Sequence, residues 1–474
     1  MALFFHYKKK ARRLIRAGFL IAIVLVLIEN FQKQSYFNGY VTNVSVAKIS
    51  SFEETPNFTT SGKSGRFLNR LKKQSKKCVH CSSSFSWKRI SNTISVFSSY
   101  YDKRFLQTVR YGNFKRSVVV LGYEMGKLDN ALFCGFIMNG NQRVIEKKPA
   151  FRVILAEFWK SKVDRYRAIM YRCNTVVDRP QYVTLMMSQD ISSFLTIPIS
   201  HFVPVVDQSS SIKHQFAVCY ETPLYGGKYD QGIMDSIELN KALGATWFTI
   251  YVYEAHSIAI NFLYYYSKKI KILDAVMNWG NNIPNPVYNR GLLVAIHDCV
   301  YRNMFWTKYL VLCDLDEVIM PKNGLKWKEL MLKVEDSKIA HFTFQHLGFH
   351  RNVNKKTEFI HCPGKTKLKY KVPRFFATYN RSNSVLGGNL RAKSIAKPLY
   401  TVTCRVHIWR WMMKGYRSYQ VPTNMAVMRH YRDKDIENLK TNTTSLDYGM
   451  NALKSQVIKA IERQFCENVK PFYT

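Results

Sequence analysis

The side chains best placed to do chemistry stand together at Asp314-Leu315-Asp316-Glu317, directly after the apolar run Tyr309-Leu-Val-Leu-Cys313. In an extended chain residues i and i+2 project to one face, so Asp314 and Asp316 are expected to point together and Glu317 the other way. Two neighbouring carboxylates repel each other unless a cation lies between them. Hard oxygen ligands suit Mg²⁺ or Mn²⁺, with phosphate oxygens completing the shell. In open α/β sheets ligands bind beyond the carboxyl ends of strands, which is where this motif falls if Lys308–Cys313 is a strand. Two chemistries use such a site. A phosphatase with a nucleophilic Asp also needs a downstream Gly-Asp or Asp-Asp pair, and the chain contains neither dipeptide. Sugar transfer from a nucleotide diphosphate needs a metal to neutralise the leaving group, with the acidic motif well inside the α/β unit. The order of elements fits the second.

Those elements follow from periodicity. Strand-like runs at Gln215–Tyr220, Trp247–Tyr253, Ile270–Val276 and Lys308–Cys313 alternate with helical patterns at Tyr229–Leu243, Ile258–Lys269 and Gly291–Asn303. That alternation predicts βαβ units and a parallel or mixed Rossmann-like sheet over residues 211–465. Residues 112–210 read as a small β-rich module, with short runs at Ser117–Tyr123, Ala131–Met138, Phe151–Glu157, Tyr166–Arg172 and Gln181–Met187. Residues 32–111 are rich in Ser, Thr, Asn and Lys and read as a stem.

The 474 residues carry 71 Lys+Arg against 32 Asp+Glu, a net charge of +39. A charge of this size invites a nucleic-acid reading, but its placement argues otherwise. Residues 1–110 hold 20 Lys+Arg and 4 Asp+Glu, and the first sixteen residues hold no acid. An apolar segment, 14–31, follows the basic tail 1–13. No small-x-small cleavage site comes after it, so it reads as an uncleaved signal anchor with the basic end cytosolic. The rest of the chain is then expected in the secretory lumen. Asn-x-Ser/Thr acceptors at Asn43, Asn57, Asn380 and Asn442 agree with this, as do ten cysteines that all follow the anchor. No nucleic-acid motif is present, and no nucleic-acid partner is expected. Cys78-Val-His-Cys81 has no second ligand pair at zinc spacing.

Several blocks of the chain resemble glycosyltransferase family 92. They are Val218-Cys-Tyr-Glu-Thr-Pro-Leu-Tyr-Gly226, Leu243-Gly-Ala-Thr-Trp-Phe-Thr-Ile-Tyr251, His297-Asp-Cys-Val-Tyr-Arg302 and Tyr309–Pro321, then Lys393-Ser-Ile-Ala-Lys-Pro398, Val406-His407 and Ala426–Arg432. The resemblance implies a GT-A fold, a type II Golgi membrane protein with a lumenal catalytic domain, and Mn²⁺ (or Mg²⁺). It also implies inverting β-transfer, with galactose moved from a UDP-galactose donor to a glycan acceptor on glycoprotein or glycolipid. On this pattern Asp314, Asp316 and His430 are the expected metal ligands, with His407 second to His430. Donor contacts are expected from Tyr220, Glu221, Tyr253, Asp314, Arg429 and Arg432. The general base stays open among Glu317, Asp336 and Glu358. The stretch His341–His350 falls where acceptor sugars would sit, but core packing is the favoured role of its aromatic and His side chains, with stacking on sugar rings as the alternative. Leu292 stands where the pattern has Gln, which leaves open a catalytically decayed, membrane-anchored glycan-binding or scaffolding protein.

Overall fold

The computed structural model describes residues 85–468 except 105, 109–111, 127–129, 140–141, 156–165, 175–177, 188, 209–210, 227–231, 286, 351–356, 389, 405, 408 and 433–443. The expected tail, anchor and most of the stem lie outside the described residues, as do Cys78, Cys81, Asn43, Asn57 and Asn442. Among the described residues no helix is long and apolar enough to cross a membrane.

The fold begins earlier than composition suggests. Nine strands form one sheet: β1 (Lys88–Arg89), β2 (Ile94–Asp102), β3 (Ser117–Met125), β4 (Phe133–Ile137), β5 (Arg143–Pro149), β6 (Phe151–Ile154), β7 (Tyr166–Asn174), β8 (Tyr182–Met186) and β9 (Val203–Val206). Their order is β5-β4-β8-β9-β2-β3-β7-β6, with β1 on β2. Strand β2 falls in the stretch read as stem and corrects that reading. Its sequence Ile-Ser-Val-Phe-Ser-Ser-Tyr-Tyr-Asp is buried at all nine positions. Serines looked like linker composition, but on a central strand covered on both faces they are small side chains that permit close packing.

The second part is a mixed α/β domain. It contains β10 (His214–Tyr220), α1 (Gly232–Leu243), β11 (Trp247–Tyr251), α2 (Ser257–Tyr264), β12 (Leu273–Val276), α3 (Leu292–Arg302) and β13 (Thr307–Cys313). There follow β14 (Glu317–Pro321), α4 (Trp327–Val334), β15 (Ile339–Phe344), β16 (His346–His350), β17 (Asn380–Ser382) and β18 (Lys393–Ala396). The last elements are β19 (Arg417–Gln420), β20 (Ala426–Arg432), β21 (Thr444–Leu446) and α5 (Asn451–Arg463). A seven-stranded sheet runs β12-β11-β10-β13-β18-β15-β19, in which β12, β11, β10 and β13 are parallel and β18 is antiparallel to its neighbours. A five-stranded sheet runs β14-β20-β16-β17-β21. The order of the parallel strands reverses at β10, so a crevice is expected beyond the carboxyl ends of β10 and β13.

Helix α3 joins the two parts. Its apolar face shares one core with β2, β3 and β7 and with the inner face of the seven-stranded sheet. Trp87 donates its indole N–H to Trp279 O at 2.9 Å. Asp298 on α3 accepts from Tyr100 at 2.7 Å, from Tyr251 at 2.7 Å and from Arg302 at 2.8 Å. A second group binds Asp102 to Arg104 and Arg172, and Arg172 donates to Tyr301 at 2.6 Å. Burial would raise the Asp102 pKa, but the two guanidiniums outweigh it and hold it at about 2. Disulfides Cys134–Cys173, Cys219–Cys299 and Cys362–Cys466 add covalent ties, while Cys313 and Cys404 are buried thiols.

The Asp298 carboxylate is fully buried and serves both parts. Removing one partner of a buried charged pair strands the other. Asp298→Ala is therefore expected to lower unfolding free energy by about 3–5 kcal/mol, read from urea denaturation.

Candidate active site

Strand β13 ends at Cys313 because the chain turns there, with Glu317 N–H donating to Asp314 O at 3.1 Å. The turn breaks the expected alternation. Glu317 does not point away: its carboxylate folds back to accept from Asp314 N–H at 2.8 Å. Leu315 goes into the core, as expected.

The centre of the group is a residue with no expected role. Lys393 opens β18, which runs antiparallel beside β13, so the start of one strand meets the end of the other. Its ammonium, 1% exposed, lies 3.0 Å from Asp314 Oδ2 and 3.1 Å from Glu317 Oε2, and it also donates to Glu221 at the end of β10. Asp314 Oδ1 accepts from Thr222 N–H at 3.1 Å. The signals in the sequence were a Lys at the head of the small apolar strand Ser-Ile-Ala and its place in the family-like block Lys393–Pro398, neither of which assigns it a role.

One ammonium faces three carboxylates, and the imbalance sets their protonation. Burial pushes Glu221 up to about 8, aided by the charges of Asp314 and Glu317 and opposed by Lys393. Burial also raises Glu317, again against Lys393. At Asp314 burial is outweighed by Lys393 and the Thr222 N–H, which hold the carboxyl at about 2. For Lys393, burial alone would lower the pKa, but its three carboxylates raise it well above the usual lysine value. The cluster thus favours protonation at Glu221 and Glu317 and disfavours it at Asp314. His407 Nδ1–H donates to Ala392 O at 3.1 Å, and the imidazole is pushed down to about 4 by burial and then by Lys393.

On the other side of the turn, β14 pairs antiparallel with β20 and sets Glu317 opposite His430. His430 Nε2 lies 3.7 Å from Asp316 Oδ2, and its Nδ1 lies 3.4 Å from Glu317 Oε1 and 3.1 Å from His346 Nε2. Asp316 and His430 are thus near neighbours that bring together one oxygen and one nitrogen of the kinds a divalent ion accepts. The expected three-ligand set is not assembled, because Asp314 is turned to Lys393 and Thr222. Among the described residues no group of three or more His, Cys, Asp or Glu is arranged to hold a metal.

Other expected residues lie elsewhere. Tyr220 is a core residue whose hydroxyl meets Ser236 at 3.0 Å, so it does not face a donor. Glu221 belongs to the Lys393 group rather than to a base pocket. Arg429 is on the opposite face of β20 from His430, 2% exposed and paired with Asp447 at 3.1 Å. Strand alternation makes this unavoidable, since adjacent residues cannot share a face. The Arg432 side chain lies outside the described residues. Tyr253 follows β11, half-buried, near Arg290, whose guanidinium stacks on Tyr225 at 3.2 Å. Leu292 is buried in the core at the start of α3. Asp336 precedes β15 at the opposite end of the strands, half-buried and paired with Arg417. Glu358 is exposed at the base of the hairpin 359–371. Of the three candidate bases only Glu317 joins the cluster. Asn380 is half-buried within β17, where its backbone pairs with Leu446.

The raised Glu221 pKa has a sign that can be tested. Between about 4.5 and about 8 the folded state binds more protons at this residue than the unfolded state, so its contribution to stability falls as pH rises. Glu221→Gln is expected to flatten that decline, measured by thermal unfolding across the same pH window.

The match to known proteins covers this same ground. The model of Glycosyltransferase family 92 aligns with residues 214–469, from β10 past the end of α5, and it includes every residue of the cluster. No curated protein matches the chain. With more than half of the chain matched, and with the acidic turn at the carboxyl end of a strand beside the point where the sheet order reverses, the chain belongs to glycosyltransferase family 92.

Proposed function

We propose that this protein is a metal-dependent inverting glycosyltransferase that moves galactose from UDP-galactose to a glycan on glycoprotein or glycolipid. The observation that carries the reading is the meeting of Asp316 and His430 beside the Lys393 cluster, beyond the carboxyl ends of β10 and β13. Asp316 and His430 are the residues that would hold Mn²⁺ or Mg²⁺. The ion, when bound, would supply positive charge against the leaving diphosphate. Thr222 and Lys393 hold both oxygens of Asp314, so its part is to anchor the site rather than to ligate the ion. Tyr253, with Tyr225 and Arg290, offers aromatic and cationic surface beyond β11 for the nucleotide. Glu317 is the carboxylate of the three candidates that stands at the site, and it is assigned as the base with its Oε1 toward His430.

A second reading has one observation in its favour. Lys393 already neutralises Asp314 and Glu317, as it would in a glycan-binding protein whose metal site has decayed. Transfer separates the two. The purified protein, given UDP-galactose, Mn²⁺ and a glycan array, is expected to label glycans with galactose. Asp316→Ala is expected to cut turnover at least about 100-fold. Labelling that persists undiminished in Asp316→Ala would remove Asp316 from the metal site, and an inert wild type that still binds glycans would establish the second reading.

The cellular setting proposed is a type II Golgi membrane protein anchored by 14–31. Support comes from the basic tail before the apolar segment and from three disulfides, which suit an oxidising lumen. A tag at the carboxyl terminus should be protected from protease in intact microsomes and digested once detergent is added. Digestion before detergent would reverse the orientation.

A further inference from the structure

Gly348 interrupts an otherwise buried strand with a half-exposed bare position. His346 and His350 stand on the same side of β16 as the missing side chain, while Leu347 and Phe349 turn into the core. Directly across on β20 is His430, and beyond it on β14 is Glu317. Gly348, His430 and Glu317 therefore form a row over three adjacent strands, about 4.8 Å apart per step. A Cβ at Gly348 would meet Ser382 Oγ at 3.2 Å, His350 Nε2 at 3.5 Å and His346 Cε1 at 3.6 Å. Its φ is not in the left-handed region, so backbone conformation does not require glycine here. A strand glycine without such a requirement often marks the close approach of another group, and here Ser382 Oγ is the nearest, leaving the half-exposed backbone beside it bare.

The rim of this bare patch is polar and held in place. His346 is bonded to His430 at 3.1 Å, and His350 to Ser382 at 3.0 Å. Imidazole and hydroxyl groups both donate and accept hydrogen bonds, which is the property sugar hydroxyls match.

We propose that Gly348 is the floor of the acceptor subsite, where a sugar ring lies on bare backbone between His346, His350 and Ser382 with one hydroxyl toward His430. This rests on the transferase reading for the identity of the reaction, although the binding of glycan does not. The side chain is absent so that the acceptor can approach within one strand spacing of the Asp316–His430 pair.

The test measures glycan and UDP affinities separately, on the full chain with Mn²⁺, for wild type, Gly348→Ala and Gly348→Val. The glycan probe is the strongest ligand found on an array of N- and O-glycans. Its dissociation constant is expected to rise about tenfold in Gly348→Ala and further in Gly348→Val, with UDP affinity falling far less. In transfer assays the acceptor KM should rise more than the donor KM. Wild-type glycan affinity in both variants would overturn the subsite, and so would parallel loss of glycan and UDP binding in Gly348→Ala. Glycan binding that depends on Gly348 in a protein that transfers no galactose would support the subsite while overturning the transferase reading. Transfer by a wild type whose Gly348→Val variant binds glycan normally would overturn the subsite alone.

Discussion

A single buried ammonium holds the site together. Lys393 reaches three carboxylates from three separate segments, Glu221 after β10, Asp314 after β13 and Glu317 at the head of β14. Taking one cation and three acids out of water costs several kcal/mol per ion, and only close hydrogen-bonded geometry offsets that cost. The arrangement is therefore intolerant of partial loss: without Lys393 the acids repel, and without the acids a lysine is stranded in the core. This constraint fixes the turn at 314–316, because Glu317 must fold back to meet both Lys393 and the Asp314 N–H. The turn in turn delivers Asp316 to His430.

The two sheets divide the work. The seven-stranded sheet supplies the charged cluster from the carboxyl ends of β10 and β13 and from the start of antiparallel β18. The five-stranded sheet supplies the histidines, with His430 and His346 on adjacent parallel strands. Glu317 is the hinge between them, since it belongs to the second sheet and is bonded to the first. The far side of the seven-stranded sheet is closed by α3 and the nine-stranded sheet, with Asp298 satisfied from both. A site built on strand ends and braced by a second layer is rigid, which suits positioning more than closure. The folded unit thus extends before the family-matched residues, to include β2 and its buried serines.

Much of this was legible in the chain. The order of strands and helices from His214 to Cys313 follows hydrophobic periodicity closely, and the acidic turn sits at a strand end as its apolar approach implied. Three errors have clear physical origins. Ser-rich β2 passed as stem because composition cannot tell a small buried side chain from a solvated one. Glu317 was assigned to the wrong face because alternation was extended past the residue where the strand stops. Arg429 was grouped with His430 by adjacency, although on a strand adjacency means opposite faces.

The sequence by itself determined the local matters: which segments are strands, where the carboxylates fall, and which family the motifs belong to. These depend on neighbouring residues, whose spacing is written along the chain. Only the tertiary structure decided that Lys393 is the counter-charge for Asp314, that His430 stands with Asp316 and His346, and that Gly348 lies bare beside them. Those contacts join residues far apart in the chain, through strand order and direction. The free energy that selects that order comes from burying whole faces at once, and no single segment carries it.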